Sequence, residues 1–371
     1  MKNRSAAVVA MFVAVLSGAT YFTLHAHSLP AVATKQAEGP AGPPEIASIT
    51  GLARSRDGHM LAAVDDNKTI SVWDARGGTS LSTLESSRNE WISDPAFSPD
   101  GSLLATLSST PWSESSGHLL LWDPATGQRL GSVDDLSWPV RCVSFSPAGT
   151  LIAVAGNTTL YLVDASTRAI VQQVEMERVV NGFIQAMEFS PNGDLLATAK
   201  HNGKVELWQV PDLNIVRTLS VGPSGRPTSG SPDDAPAAPE ARSVTFAHNL
   251  PRLAANSSEG SAIVWDLNTG KEIVRYPYGG SVYVPLANSL FFTLDDRWLL
   301  TMDQKTNGIR FLNARRHSAT DNLLTLPKNT DLGALNVSPT DGSVAFAYRV
   351  FHPGEPGPPS AKFEIWSLQL R

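Results

Sequence analysis

Short apolar runs separated by Gly, Pro, Asp and Ser fill most of this chain, and each run has the length of a strand. Val143-Ser144-Phe145 predicts one strand, and Pro147-Ala148-Gly149 a tight turn after it, because Pro presets φ and Gly supplies a positive φ. The next run, Leu151-Ile152-Ala153-Val154-Ala155, is apolar or small throughout, which suits a strand buried on both faces. A third strand ends in a large apolar residue followed by Asp, as in Ala262-Ile263-Val264-Trp265-Asp266. Asp266-Leu267-Asn268-Thr269-Gly270 then turns the chain into an outer strand, Glu272-Ile273-Val274-Arg275-Tyr276.

This unit recurs. Phe97-Ser98-Pro99-Asp100-Gly101 returns as Phe145-Ser146-Pro147-Ala148-Gly149 and as Phe189-Ser190-Pro191-Asn192-Gly193, spaced 48 and then 44 residues apart. Weaker copies start at Arg54, Phe246, Phe292 and Val337 and run to Trp73, Trp265, Leu312 and Trp366. A four-stranded sheet cannot bury its faces alone, so seven such copies predict seven blades stacked around an axis. The fold expected over residues 46–371 is all-β, a seven-bladed β-propeller of four-stranded antiparallel sheets. Trp73, Trp122, Trp208, Trp265 and Trp366 are assigned to packing between blades, on the large area an aromatic ring buries.

Insertions interrupt the period. Ser108–Gly117 and Val350–Ala361 lengthen the second hairpin of blades two and seven, and Val221–Ala241 joins blades four and five. Because Leu370-Arg371 lies just past the third strand of the seventh copy, the outer strand of that blade is expected from upstream. Pro30–Gln36 and Glu45–Ser48 are the two candidates, and a partner is needed because an unpaired sheet edge invites aggregation.

The phrases Phe97–Gly101, Leu119–Gln128 and Ile263–Lys271 together resemble the WD-repeat family, over about residues 46–371. The resemblance is to a divergent member of the kind found among bacterial exported proteins. No blade has the family's Gly-His before its first strand, and the family's second-hairpin Asp is replaced by Asn67, Asn202 and Glu259. The functional residues of better-known members therefore do not carry over. A second resemblance is enzymatic: Asp266–Lys271 resembles the D-x-x-T-G-K phrase of quinoprotein dehydrogenase propellers. That family places a Trp where this chain has Val274, typically has eight blades, and carries vicinal cysteines and metal ligands missing here. A quinoprotein-like oxidoreductase and a metal-dependent lactonase-like hydrolase are the enzymatic alternatives.

The amino-terminal segment bears on the compartment. Residues 1–33 carry Lys2, Arg4 and no other Lys, Arg, Asp or Glu, and Ala6–Leu16 is an unbroken apolar stretch. Ser17-Gly18-Ala19 and Ala31-Val32-Ala33 each offer small residues to a signal peptidase. The layout predicts a secretory signal over 1–33 and a Pro/Ala-rich linker over 34–45. The alternative is an uncleaved membrane anchor, since 5–24 has no charge and about 18 apolar residues suffice to span. Either way the propeller is expected to be exported, periplasmic or extracellular, because the positive end stays inside.

The remaining composition narrows the function. Net charge is −6, and without Lys2 and Arg4 it becomes 27 − 35 = −8, so no basic tract follows phosphates and no nucleic-acid partner is expected. Cys142 is the single cysteine, which rules out an intramolecular disulfide and reads as a small buried thiol. There is no His-Glu-x-x-His, no Gly-x-Ser-x-Gly, no phosphate-binding Gly-Lys-Ser/Thr loop and no Cys pair. His59, His118, His201, His248, His317 and His352 are scattered over different blades, and paired carboxylates such as Asp65-Asp66 and Asp295-Asp296 fall at turns. No catalytic residue, metal or cofactor is expected.

A binding surface is the better-supported expectation. Strands alternate in direction, so second-hairpin turns and blade-to-blade connections open on one face, as do all three insertions. Trp91, Trp138 and Phe183 precede inner strands on that face, and Trp112 lies in the blade-two insertion. Loops carry function more often than strands, and Trp dominates binding hot spots. The expected molecule is a non-enzymatic, monomeric scaffold that binds a protein or peptide through Trp91, Trp112, Trp138 and Phe183.

Overall fold

Seven four-stranded antiparallel sheets account for the computed structural model, which describes residues 31–40, 49–65, 69–84, 91–109, 117–176, 182–222, 239–277, 289–303, 307–315, 322–326, 328–338, 340–351 and 360–370. Six sheets are built from consecutive strands, as in blade four: Ile184–Phe189, Leu195–Lys200, Lys204–Gln209 and Asn214–Ser220. No helix among the described residues is long and apolar enough to cross a membrane.

Register confirms the repeat. The residue at the Trp position of each third strand pairs with an aliphatic residue of the second: Trp73 with Leu61, Trp122 with Leu104, Val163 with Ile152, Trp208 with Leu196, Trp265 with Leu253, Leu312 with Leu299 and Trp366 with Val344. The five tryptophans are therefore equivalent. Trp208 joins Leu160 and Leu162 of blade three in one core cluster, and Trp73 joins Ala345 and Phe363 of blade seven in another. These rings fill the space between blades, and each contributes roughly 4–6 kcal/mol of apolar transfer. Three of them also satisfy the indole N–H. Trp122 donates to Thr106 (2.8 Å), Trp208 to Thr198 (3.0 Å) and Trp366 to Glu364 (2.8 Å).

The Ser of the repeated phrase explains why it repeats. In blades one to four the Ser55, Ser98, Ser146 and Ser190 hydroxyls accept the backbone N–H five residues on, at Met60, Leu103, Leu151 and Leu195, and Thr293 does the same for Trp298. Ser98 also donates to Asp100 and Ser190 to Asn192, so the hydroxyl ties both ends of the turn. Gly58, Gly101, Gly149 and Gly193 take φ near +75° at its close, where a Cβ is disfavoured.

Blade seven closes the ring with a strand from the other end of the chain. Ala31–Pro40 pairs antiparallel with Ser360–Leu370, next to Val344–Val350 and Thr330–Val337. The first upstream candidate, Pro30–Gln36, thus holds the start of the closing strand, while residues 34–40 of the expected linker are strand. The register shows how closely the substitution mimics the other blades. In blades one to five the outer strand carries one extra residue just after the partner of the Trp position: Leu81, Leu130, Val171, Val216 and Ile273. Trp366 pairs with Lys35 and Ile365 with Ala37, so Gln36 is the extra residue in blade seven. Such bulges twist an edge away from further pairing. Blades seven and one are then tied by Arg54, which donates to the Ser343 hydroxyl and to its carbonyl (3.2 Å), and by Thr340, which donates to the Arg56 carbonyl (2.7 Å).

The insertions stand where expected, between the second and third strands of blades two and seven and between blades four and five. Residues 110–116, 223–238 and 352–359 within them, and the leader 1–30, lie outside the described residues.

Candidate functional site

The face where inner strands begin is here called the entry face. Trp91 is the first residue of the blade-two inner strand Trp91–Phe97 and is 51% exposed. Trp138 lies between the blade-two outer strand Arg129–Leu136 and the blade-three inner strand Cys142–Phe145; it is half-buried, and its indole N–H has no acceptor among the described residues. Phe183 stands just before the blade-four inner strand and is half-buried. Trp112 lies outside the described residues.

Phe183 is a link in a cluster that joins three blades. The Arg141 guanidinium lies over its ring, with Cζ 3.8 Å from the centroid. On the ring's account His201, from the second hairpin of blade four, is also fixed: the two rings stack at 4.5 Å and 22°, and the His201 backbone N–H donates to the Phe183 carbonyl (3.0 Å). His201 Nδ1 is 3.1 Å from Glu240, and Glu240 is 2.7 Å from Arg242 in blade five. Gln185 reaches both His201 (3.1 Å) and Glu240 (3.3 Å).

The electrostatics of this cluster are uneven. Burial lowers the pKa of His201, partly opposed by Glu240 and reinforced by Arg242 and Arg141, so the ring is neutral at neutral pH. Glu240 is matched by Arg242. Arg141 makes no side-chain hydrogen bond or ion pair among the described residues, and its residue is exposed to solvent. A cation is thus held against an aromatic face with its in-plane N–H groups uncommitted.

Two carboxylates lie further along the inner strands. Burial pushes Asp94 up to about 7, opposed by the Val143 N–H that it accepts at 2.6 Å from blade three. Burial pushes Glu188 up to about 8, opposed by hydrogen bonds from the Thr245 side chain and the Phe246 backbone of blade five. Each therefore braces neighbouring blades. Cys142, next to Asp94, is buried, and desolvation raises its thiol well above the usual range, so it is not a reactive thiolate. Among the described residues no group of three or more His, Cys, Asp or Glu is placed to hold a metal ion.

The phrase with the enzymatic resemblance serves a turn. Asp266 accepts the Thr269 N–H (2.8 Å) and hydroxyl (3.0 Å), and Gly270 closes the turn at φ 71. Asp164 accepts from Ser166 and Thr167 in the same way, and Asp123 from Ala125 and Thr126. The same geometry in three blades is hairpin chemistry.

A cavity of about 300 Å³ lies between blades three and four, lined by Met176, Lys200, Glu206, Trp208 and Leu213 among others. Lys200 and Glu206 pair there at 3.0 Å, each side chain 7% exposed, so their charges are spent on one another.

Comparison with known proteins agrees with the register. The WD40 family model (WD domain, G-beta repeat) matches residues 45–74, 130–164 and 177–209. The guanine nucleotide-binding protein subunit beta of Saccharomyces cerevisiae is 30% identical over 136 residues, 36% of this chain and 30% of that protein. The WD repeat-containing protein AAC3 of Dictyostelium discoideum is 27% identical over 177 residues, 47% of this chain and 35% of that protein. Eukaryotic translation initiation factor 3 subunit I of Lodderomyces elongisporus is 26% identical over 240 residues, 60% of this chain and 63% of that protein. The match spans about a third of the first two relatives. The match over 130–164 begins in the blade-two outer strand and ends at the third strand of blade three, so that repeat unit straddles two blades, while the match over 177–209 ends at the third strand of blade four. The chain is thus a seven-bladed β-propeller in which three stretches match the WD40 repeat.

Proposed function

We propose that this propeller is a non-enzymatic scaffold that binds a protein or peptide through its entry face, and that it does so outside the cytoplasm. The observation that carries the reading is the concentration of surface chemistry on that face: an exposed Trp91 on blade two and, on blades three to five, the Arg141–Phe183–His201–Glu240 cluster. The opposite face, by contrast, uses its repeated polar side chains within its own turns. Relatives named as subunits of larger assemblies support a role in assembly. Export rests on the charged, then apolar, then small-residue layout of 1–33.

Capture from an envelope fraction tests the docking face, with Trp91→Ala compared against the opposite-face control Ser102→Ala. Loss of capture in the first alone supports the reading, and equal capture by both overturns it. Fusion of the carboxyl terminus to a reporter enzyme active only outside the cytoplasm tests export; an inactive fusion of full-length protein at normal abundance counts against it.

A further inference from the structure

We propose that Arg141 is the anchor of this docking face and that the partner segment it receives is an acidic peptide, whose Asp or Glu carboxylate pairs with the guanidinium. The inference rests on the docking reading above and names the chemistry of the partner. Three observations carry it. Of the cluster's ionised groups, Glu240 is compensated by Arg242 at 2.7 Å, whereas Arg141 makes no side-chain hydrogen bond or ion pair among the described residues. Arg141 is exposed as a residue, and partial burial of its guanidinium lowers its pKa while leaving it a cation.

The second observation is geometric. Cζ lies 3.8 Å from the Phe183 ring centroid, so the guanidinium rests against that ring and makes no side-chain hydrogen bond or ion pair among the described residues; its N–H edge is therefore the part left for a ligand. That edge is a rigid fork that matches the two oxygens of a carboxylate. Phe183 is itself held by His201, and His201 by Gln185 and Glu240, so the cation is placed before any ligand arrives. Pre-placement removes part of the ordering cost that a flexible surface Arg would incur on binding.

The third observation sets the length scale of the preference. The protein as a whole carries a net charge of −6, so it does not attract acidic chains over long range. Recognition must come from contact at Arg141. Trp138, three residues earlier on the same connection, and the exposed Trp91 on the neighbouring blade supply apolar surface for residues flanking the acid.

Selection of a random-peptide phage library on the purified propeller tests this, followed by fluorescence anisotropy with a synthetic peptide from the enriched pool. The expected pool is enriched in Asp or Glu, and the peptide binds Arg141→Ala at least about tenfold more weakly, with Arg141→Lys in between because the charge remains and the fork is lost. Selection on Arg141→Glu should yield a pool without the acidic enrichment. Thermal melts of each variant keep folding out of the comparison, and Arg141→Gln replaces Arg141→Glu should the latter not fold. A pool that docks on the entry face, is lost with Trp91→Ala, but shows neither acidic enrichment nor sensitivity to Arg141 overturns the acidic-partner inference and leaves the docking face standing. A library that yields no entry-face binder overturns both.

Discussion

On the face where inner strands end, Ser55, Ser98, Ser146, Ser190 and Thr293 build one turn five times, and each side-chain oxygen is engaged within five residues of its own position. On the entry face, Arg141, Phe183, His201 and Glu240 come from three blades, and their contacts join residues from 18 to 42 positions apart, as from Phe183 to His201 and from Phe183 to Arg141. Local bonds can be repeated in every blade because they need nothing from a neighbour. A bond between blades depends on which blades meet, so it occurs once. In a propeller, repetition therefore marks residues that make the fold, and departures from repetition mark residues free to make a site.

The sharpest way to break this comparison is to exchange the roles of two tryptophans. Trp208 is 3% exposed, packs between blades three and four, and donates to Thr198. Trp208→Ala should cost about 3–5 kcal/mol of stability, read by urea titration, because the cavity cannot collapse between two sheets. Trp91, half exposed, should behave in the opposite sense: Trp91→Ala should weaken partner binding by about 2 kcal/mol or more while the urea midpoint stays put. Equal destabilisation by the two substitutions would make Trp91 a packing residue. Trp138 should fall between them, since its ring is half-buried.

A smaller effect sharpens the same contrast. Ser190→Ala removes the acceptor of the Leu195 N–H and the donor to Asn192, and should cost about 1 kcal/mol. Ser98→Ala should cost the same in blade two, where the Leu103 N–H and Asp100 are the partners. The two losses should add, because distant sites without shared partners do. Neither should alter binding. A large difference between them, or an effect on partner affinity, would show that the turns are not independent repeats.

The repeat was legible in the sequence because its physics is local: a Ser that bonds five residues ahead, a Gly at positive φ and a Trp opposite an aliphatic each leave a fixed spacing. The closing strand was harder to read. Ala31–Pro40 contains Lys, Gln, Glu and Gly, with little β preference of its own, and becomes a strand by pairing with Ser360–Leu370, a tertiary effect that local propensity does not contain. At the site, Trp91 and Phe183 have the same place in the sequence pattern, yet Trp91 is exposed whereas Phe183 is half-buried, with Arg141 and His201 against its ring. In the sequence His201 is one of several scattered histidines, and neither Arg141 nor Glu240 belongs to a motif. One signal was available: the second hairpin of blade four reads His201-Asn202-Gly203, where the resembled family has an Asp. Which residues from other blades meet that hairpin is set by ring geometry.

A last contrast, read through pH, concerns the carboxylates that brace blades on the inner strands. Asp94, raised from 3.8 to about 7, and Glu188, raised from 4.5 to about 8, are both held neutral by burial more strongly in the folded chain than in the unfolded one. A folded pKa above the unfolded value gives a contribution that is complete below the unfolded pKa and declines as pH rises through the folded one. The loss therefore runs from about pH 4 to 7 for Asp94 and from about pH 4.5 to 8 for Glu188. Glu188→Gln keeps the shape and the ability to accept from Thr245 and Phe246 but cannot ionise. Relative to the parent, its stability should be flat below pH 4.5 and should improve steadily up to pH 8, measured by urea titration at each pH. Asp94→Asn should show the same trend ending near pH 7, and because the two groups brace different blade pairs the effects should add. A pH-independent difference for Glu188→Gln would mean that water reaches this carboxylate and that it ionises as an ordinary surface group.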